Sequence, residues 1–294
     1  MEKNVAFVGL GAMGTQMAGN LVAKGFDVRG IDINPAAVKA LHEKAGTPVR
    51  ALKEACGDAN FLVLMVVNAQ QAEDVLFTQK AVEYLPKDAI VILMATVSPA
   101  QAKSIAERVA AAGRTFIDAP VSGGVVGAAN ASLSIMAAAE EGAYKRALPV
   151  FQALGQRLFH VGTEAGQGEA VKAINQLFCG THIAVMAEAF SLAKKAGVDL
   201  NLVFDLVSES AASSWMIKDR GPRMISDSED VTSAVDIFVK DLSIVVATGA
   251  DYKAAVPLAS VAWQMFSAAS GRGEGKLDDS KVIRSYDLLN GLAE

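Results

Sequence analysis

Lys172 and Asn175 stand three residues apart in a segment whose apolar residues recur at helical spacing. On a helix, Lys172, Asn175 and Gln176 share one face. A buried lysine loses its hydration and its pKa falls, so its amine can exchange a proton near neutral pH. The spacing therefore predicts a general acid or base at Lys172, with Asn175 holding either a reacting hydroxyl or the lysine. The alternative is a lysine that carries its charge to water from an amphipathic helix.

A second candidate site is the sequence DAPVSGG at 118–124, which directly follows a predicted strand at 115–117. Ligands of open α/β sheets bind at the carboxyl ends of the strands. Ser122 offers a hydroxyl, and Gly123 and Gly124 leave backbone N–H groups accessible, which suits a carboxylate. The same residues could equally form a proline-glycine turn that serves chain geometry alone.

A third candidate is the charge pair Lys240 and Asp241, which follows the apolar-rich run at 235–239. Such a pair either reaches a cofactor or a neighbouring domain, or forms an ordinary surface ion pair. The sequence leaves both alternatives open.

The elements that must position these side chains begin with a strand at 5–8, the sequence GLGAMG at 9–14 and a helical pattern that follows it. Gly9 permits a tight turn, Gly11 lets a pyrophosphate approach the backbone, and Gly14 lets helix and strand pack closely. The N–H groups at the helix start would face the anionic pyrophosphate. The predicted cofactor contacts at this turn are Gly9, Leu10, Gly11, Ala12, Met13 and Gly14.

Asp32 ends a second predicted strand, at 28–31. Its carboxylate can accept hydrogen bonds from a ribose 2′-hydroxyl but would repel a 2′-phosphate. The next residues, Ile33, Asn34 and Pro35, supply no arginine to hold such a phosphate. The turn therefore predicts NAD rather than NADP as the cofactor. The alternative is a glycine-rich turn in an α/β domain that binds no nucleotide.

Strand-like and helix-like segments alternate through the first half, which predicts an α/β fold with a doubly wound parallel sheet. Further strands are expected at 61–66, 89–94, 115–117, 132–136 and 158–161. Ser98 and Pro99 are typical of a helix start, and a helix is expected at 100–112. The second half has helical periodicity and no convincing strand. Its helices are expected at 168–196, 201–208, 233–250, 257–269 and 279–289. We therefore expect a nucleotide-binding domain at 1–163 and an all-α C-terminal domain at 164–294, joined by the long helix.

The composition excludes several functional classes. A chain of 294 residues, 52% hydrophobic and 20% charged, is typical of a globular protein with two domains, and its net charge of −5 argues against binding to nucleic acid. Two cysteines and three histidines are scattered without metal-ligand spacing, so we expect no metal site and a reducing compartment. No segment approaches the roughly 20 apolar residues that span a bilayer. A cytoplasmic protein without membrane contact is expected.

Four motifs in order resemble the β-hydroxyacid dehydrogenases, a family that includes 3-hydroxyisobutyrate dehydrogenase and tartronate semialdehyde reductase. They are GLGAMG at 9–14, DAPVSGG at 118–124, GxxxKxxN at 168–175 and KDL at 240–242. The likeness covers essentially the full chain. It implies a Rossmann-type domain joined by a long helix to an all-helical domain, in a homodimer or homotetramer.

The resemblance also implies roles for individual residues. Lys172 would be the catalytic acid/base, and Asn175 would assist at the substrate. Ser122, Gly123 and Gly124 would hold the carboxylate of a small hydroxy-acid substrate.

Further roles follow from the same resemblance. Thr96 matches a position that contacts the cofactor near the nicotinamide, and Lys240 matches one that lines the cofactor and substrate cleft. Val67 and Asn68 replace the leucine and proline usual at this cofactor-binding position, and polar Asn68 would suit a polyhydroxylated substrate. Trp215 is expected either to wall the substrate pocket or to lie in the core.

Residues 67–69, 214–216 and 233–242 resemble the L-threonate dehydrogenase branch of the family, although Gln176 departs from the usual asparagine. The hypothesis is therefore NAD-dependent oxidation of a small hydroxy acid, favouring L-threonate to 2-dehydro-L-erythronate. The alternatives within the family are 3-hydroxyisobutyrate dehydrogenase and tartronate semialdehyde (2-hydroxy-3-oxopropionate) reductase. A non-catalytic NAD-sensing protein is the alternative from another class.

Overall fold

The computed structural model describes residues 2–44, 46–47, 49 and 51–292. The chain divides into two compact units between Lys172 and Ala173. This division lies inside the long helix, whereas the sequence places a domain boundary after residue 163. That boundary stays a prediction.

The first unit is built on one eight-stranded sheet within the described residues. Its strands are β1 Asn4–Val8, β2 Asp27–Ile31, β3 Phe61–Leu64, β4 Ile90–Leu93, β5 Thr115–Asp118, β6 Val121–Ser122, β7 Leu133–Ala138 and β8 Gly155–Gly162. Their order is β2-β1-β3-β4-β5-β7-β6, and β8 pairs with β7. The order reverses at β1, which is where doubly wound sheets bind ligands.

The strands β1 to β5 are parallel, as the alternating pattern predicts. The doubly wound parallel sheet is confirmed, and it carries one antiparallel strand that the pattern does not predict, because β7 runs antiparallel to both β5 and β6. The connection from β6 to β7 contains only a six-residue helix, Gly124–Ala129. A parallel return needs a crossover of a dozen or more residues.

Helices cover both faces of the sheet. They are α1 Gly14–Ala23, α2 Pro35–Glu43, α3 Leu52–Cys56, α4 Ala69–Glu73, α5 Ala81–Tyr84, α6 Pro99–Ala111, α7 Gly124–Ala129 and α8 Glu141–Leu154. On β1, Val5 and Phe7 enter one buried cluster, whereas Ala6 and Val8 enter the other. This burial on both faces explains why the strands are continuously apolar.

Proline and serine define the start of α6. The Ser98 side chain accepts a hydrogen bond from the Gln101 backbone, and the Gln101 side chain accepts one from the Ser98 backbone. Pro99 occupies the first helical turn, where its missing N–H costs nothing. The predicted helix start at this position is confirmed.

The second unit is helical, and no strand follows β8 in the described part of the chain. Its helices are α9 Gln167–Ala196, which begins in the first unit, α10 Leu200–Glu209, α11 Trp215–Ile225, α12 Val235–Asp251, α13 Pro257–Ala269 and α14 Ile283–Leu289. The core includes Ile183 and Phe190 of α9 together with Phe238 and Phe266, whose rings stack with centroids 5.2 Å apart. The predicted long helix is confirmed.

Helix α11 is absent from the sequence-based expectation. It begins at Trp215 and is capped by Ser214, whose hydroxyl accepts a hydrogen bond from the Ile217 N–H. Gly221 packs where a Cβ would lie 2.5 Å from the Phe204 ring of α10. Arg220, also in α11, donates two hydrogen bonds to the buried Asp279 carboxylate. Contacts distant in sequence therefore stabilise this helix despite its internal glycine and proline.

Candidate functional site

The glycine turn between β1 and α1 leaves space that a ligand can fill. Gly9 has a φ of +95°, and a Cβ on Gly14 would collide with the Gly9 carbonyl oxygen. The fold itself therefore requires both glycines. A Cβ on Gly11, in contrast, would meet no protein atom within 4 Å. The turn fits the pyrophosphate of a dinucleotide, because the protein leaves the space above Gly11 open.

Asp32 links the end of β2 to this turn. Its Oδ2 accepts a hydrogen bond from the Leu10 N–H at 2.7 Å, and its Oδ1 accepts one from the Asn34 N–H at 2.7 Å. Each carboxylate oxygen has a second acceptor position. An open pocket of about 400 Å³ adjoins the carboxylate and is also lined by Val38 and Leu52. Asp32 can therefore accept ribose hydroxyls while it holds the turn.

The loops that carry the other predicted cofactor residues lie at the same sheet edge, because they follow the carboxyl ends of parallel strands. Val67 and Asn68 follow β3 and are exposed, and half-buried Thr96 follows β4. The Asn68 Oδ1 accepts from the Gln71 N–H at 2.9 Å and so begins α4. Asn68 therefore caps α4, whether or not it also contacts a ligand.

The serine-glycine loop joins β6 to α7. Gly123 and Gly124 have φ values of +132° and +59°, which favour glycine, and both are exposed. Ser122 is half-buried. The Asn20 amide of α1 donates to the Ala128 carbonyl of α7 at 2.6 Å, so the helix after the glycine turn also holds the helix after this loop. This contact therefore connects the helices that follow the glycine turn and the serine-glycine loop.

Asp118 begins the DAPVSGG sequence, but no role of its own is predicted for it from the sequence. Its carboxylate is fully buried at the end of β5, and its Oδ2 accepts hydrogen bonds from the N–H groups of Gly166 at 2.8 Å and Glu169 at 3.2 Å. Burial raises the pKa of Asp118 to about 6, opposed by hydrogen bonds from the backbone. Only the position of this aspartate at a strand end could have signalled it, because its partners lie some 50 residues away.

The first turn of α9 packs directly on the sheet. A Cβ on Gly168 would lie 2.6 Å from the Met136 carbonyl oxygen and 2.9 Å from that of Asp118. One turn further along, Lys172 is only 6% exposed, and Glu169 is fully buried. The alternative of a lysine reaching into water is therefore wrong. Lys172 is positioned by the contacts that hold the start of α9.

The second unit contains a separate group of polar side chains, on α9 and α12. The Asn175 Nδ2 donates to the Gln176 Oε1 at 2.9 Å, and the Gln176 Nε2 donates to the Asp241 Oδ2. The Asp241 Oδ1 forms an ion pair with the Lys240 Nζ at 2.8 Å. Asp241 is only 4% exposed, so the alternative of an ordinary surface pair is wrong.

Gly180 explains how α9 and α12 come close enough for these contacts. A Cβ on Gly180 would lie 2.6 Å from a methyl carbon of Leu242, the residue that follows Asp241. The glycine therefore permits a close helix crossing one turn from Gln176.

Trp215 does not lie in the core. It is 62% exposed at the first turn of α11, and the Arg220 guanidinium lies 5.9 Å from its ring centroid. Its assignment as a wall of the substrate pocket stays a prediction.

The two cysteines differ in their surroundings. Cys56 is fully buried, and burial raises the pKa of its thiol to about 12. Cys179 is half-buried, and its sulfur accepts a hydrogen bond from the Asn175 Nδ2 at 3.4 Å. The Cys179 thiol therefore makes a polar contact, whereas Cys56 lies in an apolar cluster.

Across the described ranges, no group of three or more histidine, cysteine, aspartate or glutamate side chains could hold a metal ion. None of the helices described is long and apolar enough to span a bilayer.

Two family models match the chain in succession. The NAD-binding domain of 6-phosphogluconate dehydrogenase matches residues 4–162. The second family, described as NAD-binding of NADP-dependent 3-hydroxyisobutyrate dehydrogenase, matches residues 166–286.

Individual relatives match over nearly the whole length. An L-threonate dehydrogenase from Cupriavidus necator is 38% identical over 97% of both chains. The mitochondrial 3-hydroxyisobutyrate dehydrogenase of Drosophila melanogaster is 30% identical over 98% of this chain and 89% of its own. A crystal structure named 3-hydroxyisobutyrate dehydrogenase from Salmonella typhimurium is 37% identical, has a TM-score of 0.89, and covers 96% of this chain and 99% of its own. The chain belongs to the 3-hydroxyisobutyrate dehydrogenase family of NAD(P)-binding β-hydroxyacid dehydrogenases.

Proposed function

We propose that this protein oxidises L-threonate at its 2-hydroxyl to 2-dehydro-L-erythronate with NAD. The main support for proton transfer by Lys172 is its burial, because the residue is only 6% exposed. It lies in the helix turn that follows the backbone contacts with Asp118. The relative named L-threonate dehydrogenase, at 38% identity over nearly the full length, supports the choice of substrate.

The proposed reaction divides the chemistry among a few residues. The Ser122 hydroxyl and the N–H groups of Gly123 and Gly124 bind the substrate carboxylate, which is acceptor-only when ionised. Lys172 takes the proton of the 2-hydroxyl as the carbon is oxidised. Its burial keeps competing water away from the amine. NAD, when bound, supplies the acceptor for the hydride that leaves the same carbon.

NAD is proposed over NADP because of Asp32. The carboxylate adjoins the open pocket beside the glycine turn, and it already accepts two backbone hydrogen bonds. A 2′-phosphate brought to this position would face a negative charge, whereas a 2′-hydroxyl would donate a hydrogen bond to it.

The test is a panel of hydroxy acids assayed with NAD and with NADP, following absorbance of the reduced cofactor. We expect the highest kcat/KM with L-threonate and NAD. A higher value with NADP would overturn the role given to Asp32. Turnover of none of the acids, with NADH binding intact, would favour a non-catalytic NAD-sensing protein.

A second candidate substrate is 3-hydroxyisobutyrate, because the Salmonella structure of that name is 37% identical over nearly the full length. The same panel separates the two, since 3-hydroxyisobutyrate has a branched carbon chain and a single hydroxyl. Reduction of tartronate semialdehyde is measured in the reverse direction with NADH. The homodimeric or homotetrameric state and the cytoplasmic location stay predictions.

A further inference from the structure

The hydrogen bonds that connect Asp241, Gln176 and Asn175 have a defined direction. An ionised carboxylate accepts hydrogen bonds and donates none. The Asp241 Oδ1 is paired with the Lys240 Nζ at 2.8 Å, so the carboxylate meets Gln176 with its Oδ2. The Gln176 side chain must therefore present its Nε2 to Asp241, which is the arrangement observed.

The orientation of the Gln176 amide in turn determines the orientation of the Asn175 amide. With its Nε2 directed at Asp241, Gln176 presents its Oε1 to Asn175, and that oxygen can only accept. Asn175 meets it with Nδ2, at 2.9 Å, and the same nitrogen lies 3.4 Å from the Cys179 sulfur. The Asn175 amide consequently turns its Oδ1 to the opposite side.

We infer that Asp241 is a positioning residue that fixes the orientation of the Asn175 amide through Gln176, so that Asn175 acts on its ligand as a hydrogen-bond acceptor. The inference rests on the proposed function, in which Asn175 assists at the substrate. Oδ1 can hold a hydroxyl or an ammonium group, and it cannot donate to a carbonyl oxygen.

Burial strengthens the hydrogen bonds that connect Asp241, Gln176 and Asn175. Gln176 and Asp241 are 6% and 4% exposed, so water cannot readily replace a lost partner. The close approach of α9 and α12 at Gly180 and Leu242 also leaves no room for a side chain between the two helices there. A reversed amide would place two acceptor oxygens face to face.

The test reverses the donor–acceptor direction of the hydrogen bonds that connect Asp241, Gln176 and Asn175. In N175D, acceptor-only groups flank Gln176 on both sides, so one contact becomes repulsive. In the double variant N175D/D241N, the new amide at 241 donates to the Gln176 Oε1, and the Gln176 Nε2 donates to the new carboxylate at 175. Position 175 still offers an acceptor oxygen to the ligand.

We expect N175D to lower kcat by about 10-fold or more and to lower the Tm, and the double variant to recover most of both losses. D241N alone keeps an acceptor oxygen for Gln176 and should lose less. Asp251, exposed at the end of α12, provides the control D251N, which should match the wild type. Losses that simply multiply in the double variant would overturn the inference.

The two proposals fail in different ways. If the wild type oxidises no hydroxy acid in the panel, the proposed function fails, and the same cycle measured by Tm still tests the direction of the hydrogen bonds. If the wild type is active and the double variant recovers neither kcat nor Tm, the function stands and the positioning role of Asp241 fails.

Discussion

The Asp118 carboxylate at the end of β5 accepts a hydrogen bond from the backbone N–H of Glu169 in the first turn of α9, at 3.2 Å. The same oxygen accepts the Gly166 N–H at 2.8 Å, so one buried side chain holds the start of the helix that carries Lys172. The placement of the proposed acid/base thus depends on a residue 54 positions earlier in the sequence.

The pH dependence of stability should reveal this buried carboxyl group. Burial raises the pKa of Asp118 from 3.8 to about 6 in the folded protein, so the folded state binds the proton more tightly than the unfolded state. The stabilising contribution is therefore complete below pH 4 and is lost as the pH rises through 6. A difference of one pKa unit between the folded and unfolded states corresponds to about 1.4 kcal/mol. The free energy of unfolding should therefore fall by roughly 3 kcal/mol.

D118N isolates this effect, because its amide oxygen can still accept both N–H groups and does not titrate. The measurement is denaturant unfolding of wild type and D118N between pH 4 and pH 7. We expect the free energy of unfolding of the wild type to fall relative to the variant over that interval. A constant difference would show that the folded carboxyl group titrates normally.

Replacement of Lys172 by alanine should remove proton transfer and leave cofactor binding in place. General acid–base catalysis contributes about 10²- to 10⁴-fold, and kcat should fall by that range. NADH fluorescence titration checks that binding persists. Lys103, exposed on α6, gives the control K103A, which should keep wild-type turnover. Near-normal kcat in K172A would remove the lysine from the mechanism.

Alanine substitutions at Gly11 and Gly14 should distinguish an effect on cofactor binding from an effect on folding. In G11A the added Cβ meets no protein atom within 4 Å, so the Tm should stay close to that of the wild type. The same methyl group would occupy the proposed pyrophosphate position, so the Kd for NADH should rise by about 10-fold or more. In G14A the methyl group collides with the Gly9 carbonyl oxygen, and the Tm itself should fall. Unchanged NADH binding by G11A would contradict the proposed position of the pyrophosphate.

The charge of Asp32 should determine cofactor preference. D32N keeps one acceptor oxygen, for either the Leu10 or the Asn34 N–H, and removes the negative charge that would repel a 2′-phosphate. The ratio of kcat/KM for NADP to that for NAD should rise by about 10-fold or more. Asp88 is exposed before β4, at the opposite edge of the sheet, so D88N serves as the control. An unchanged ratio in D32N would assign the preference to other residues.

The sequence predicts local features well. The glycine turn, the serine-proline start of α6 and the long α9 each depend on residues a few positions apart, and the structure contains all three elements. These three signals could be recognised because the backbone requirement at each of them is local.

Features that depend on distant partners could not be predicted. Gly221 and Pro222 signal a turn in isolation, yet packing of Gly221 against Phe204 maintains α11 through them. The antiparallel direction of β7 depends on topology that periodicity does not encode. Asp118 and Asp241 find their partners 48 and 65 residues away, so neither burial nor role is visible from neighbouring residues.

The contrast between the two sulfur atoms has a practical use. Cys56 remains a protonated, inaccessible thiol over the range in which proteins are handled, whereas Cys179 lies half-exposed beside the Asn175 amide. A maleimide dye added to the unmodified protein should therefore attach at a single place. Its emission would report ligand arrival near Asn175 without any engineered label.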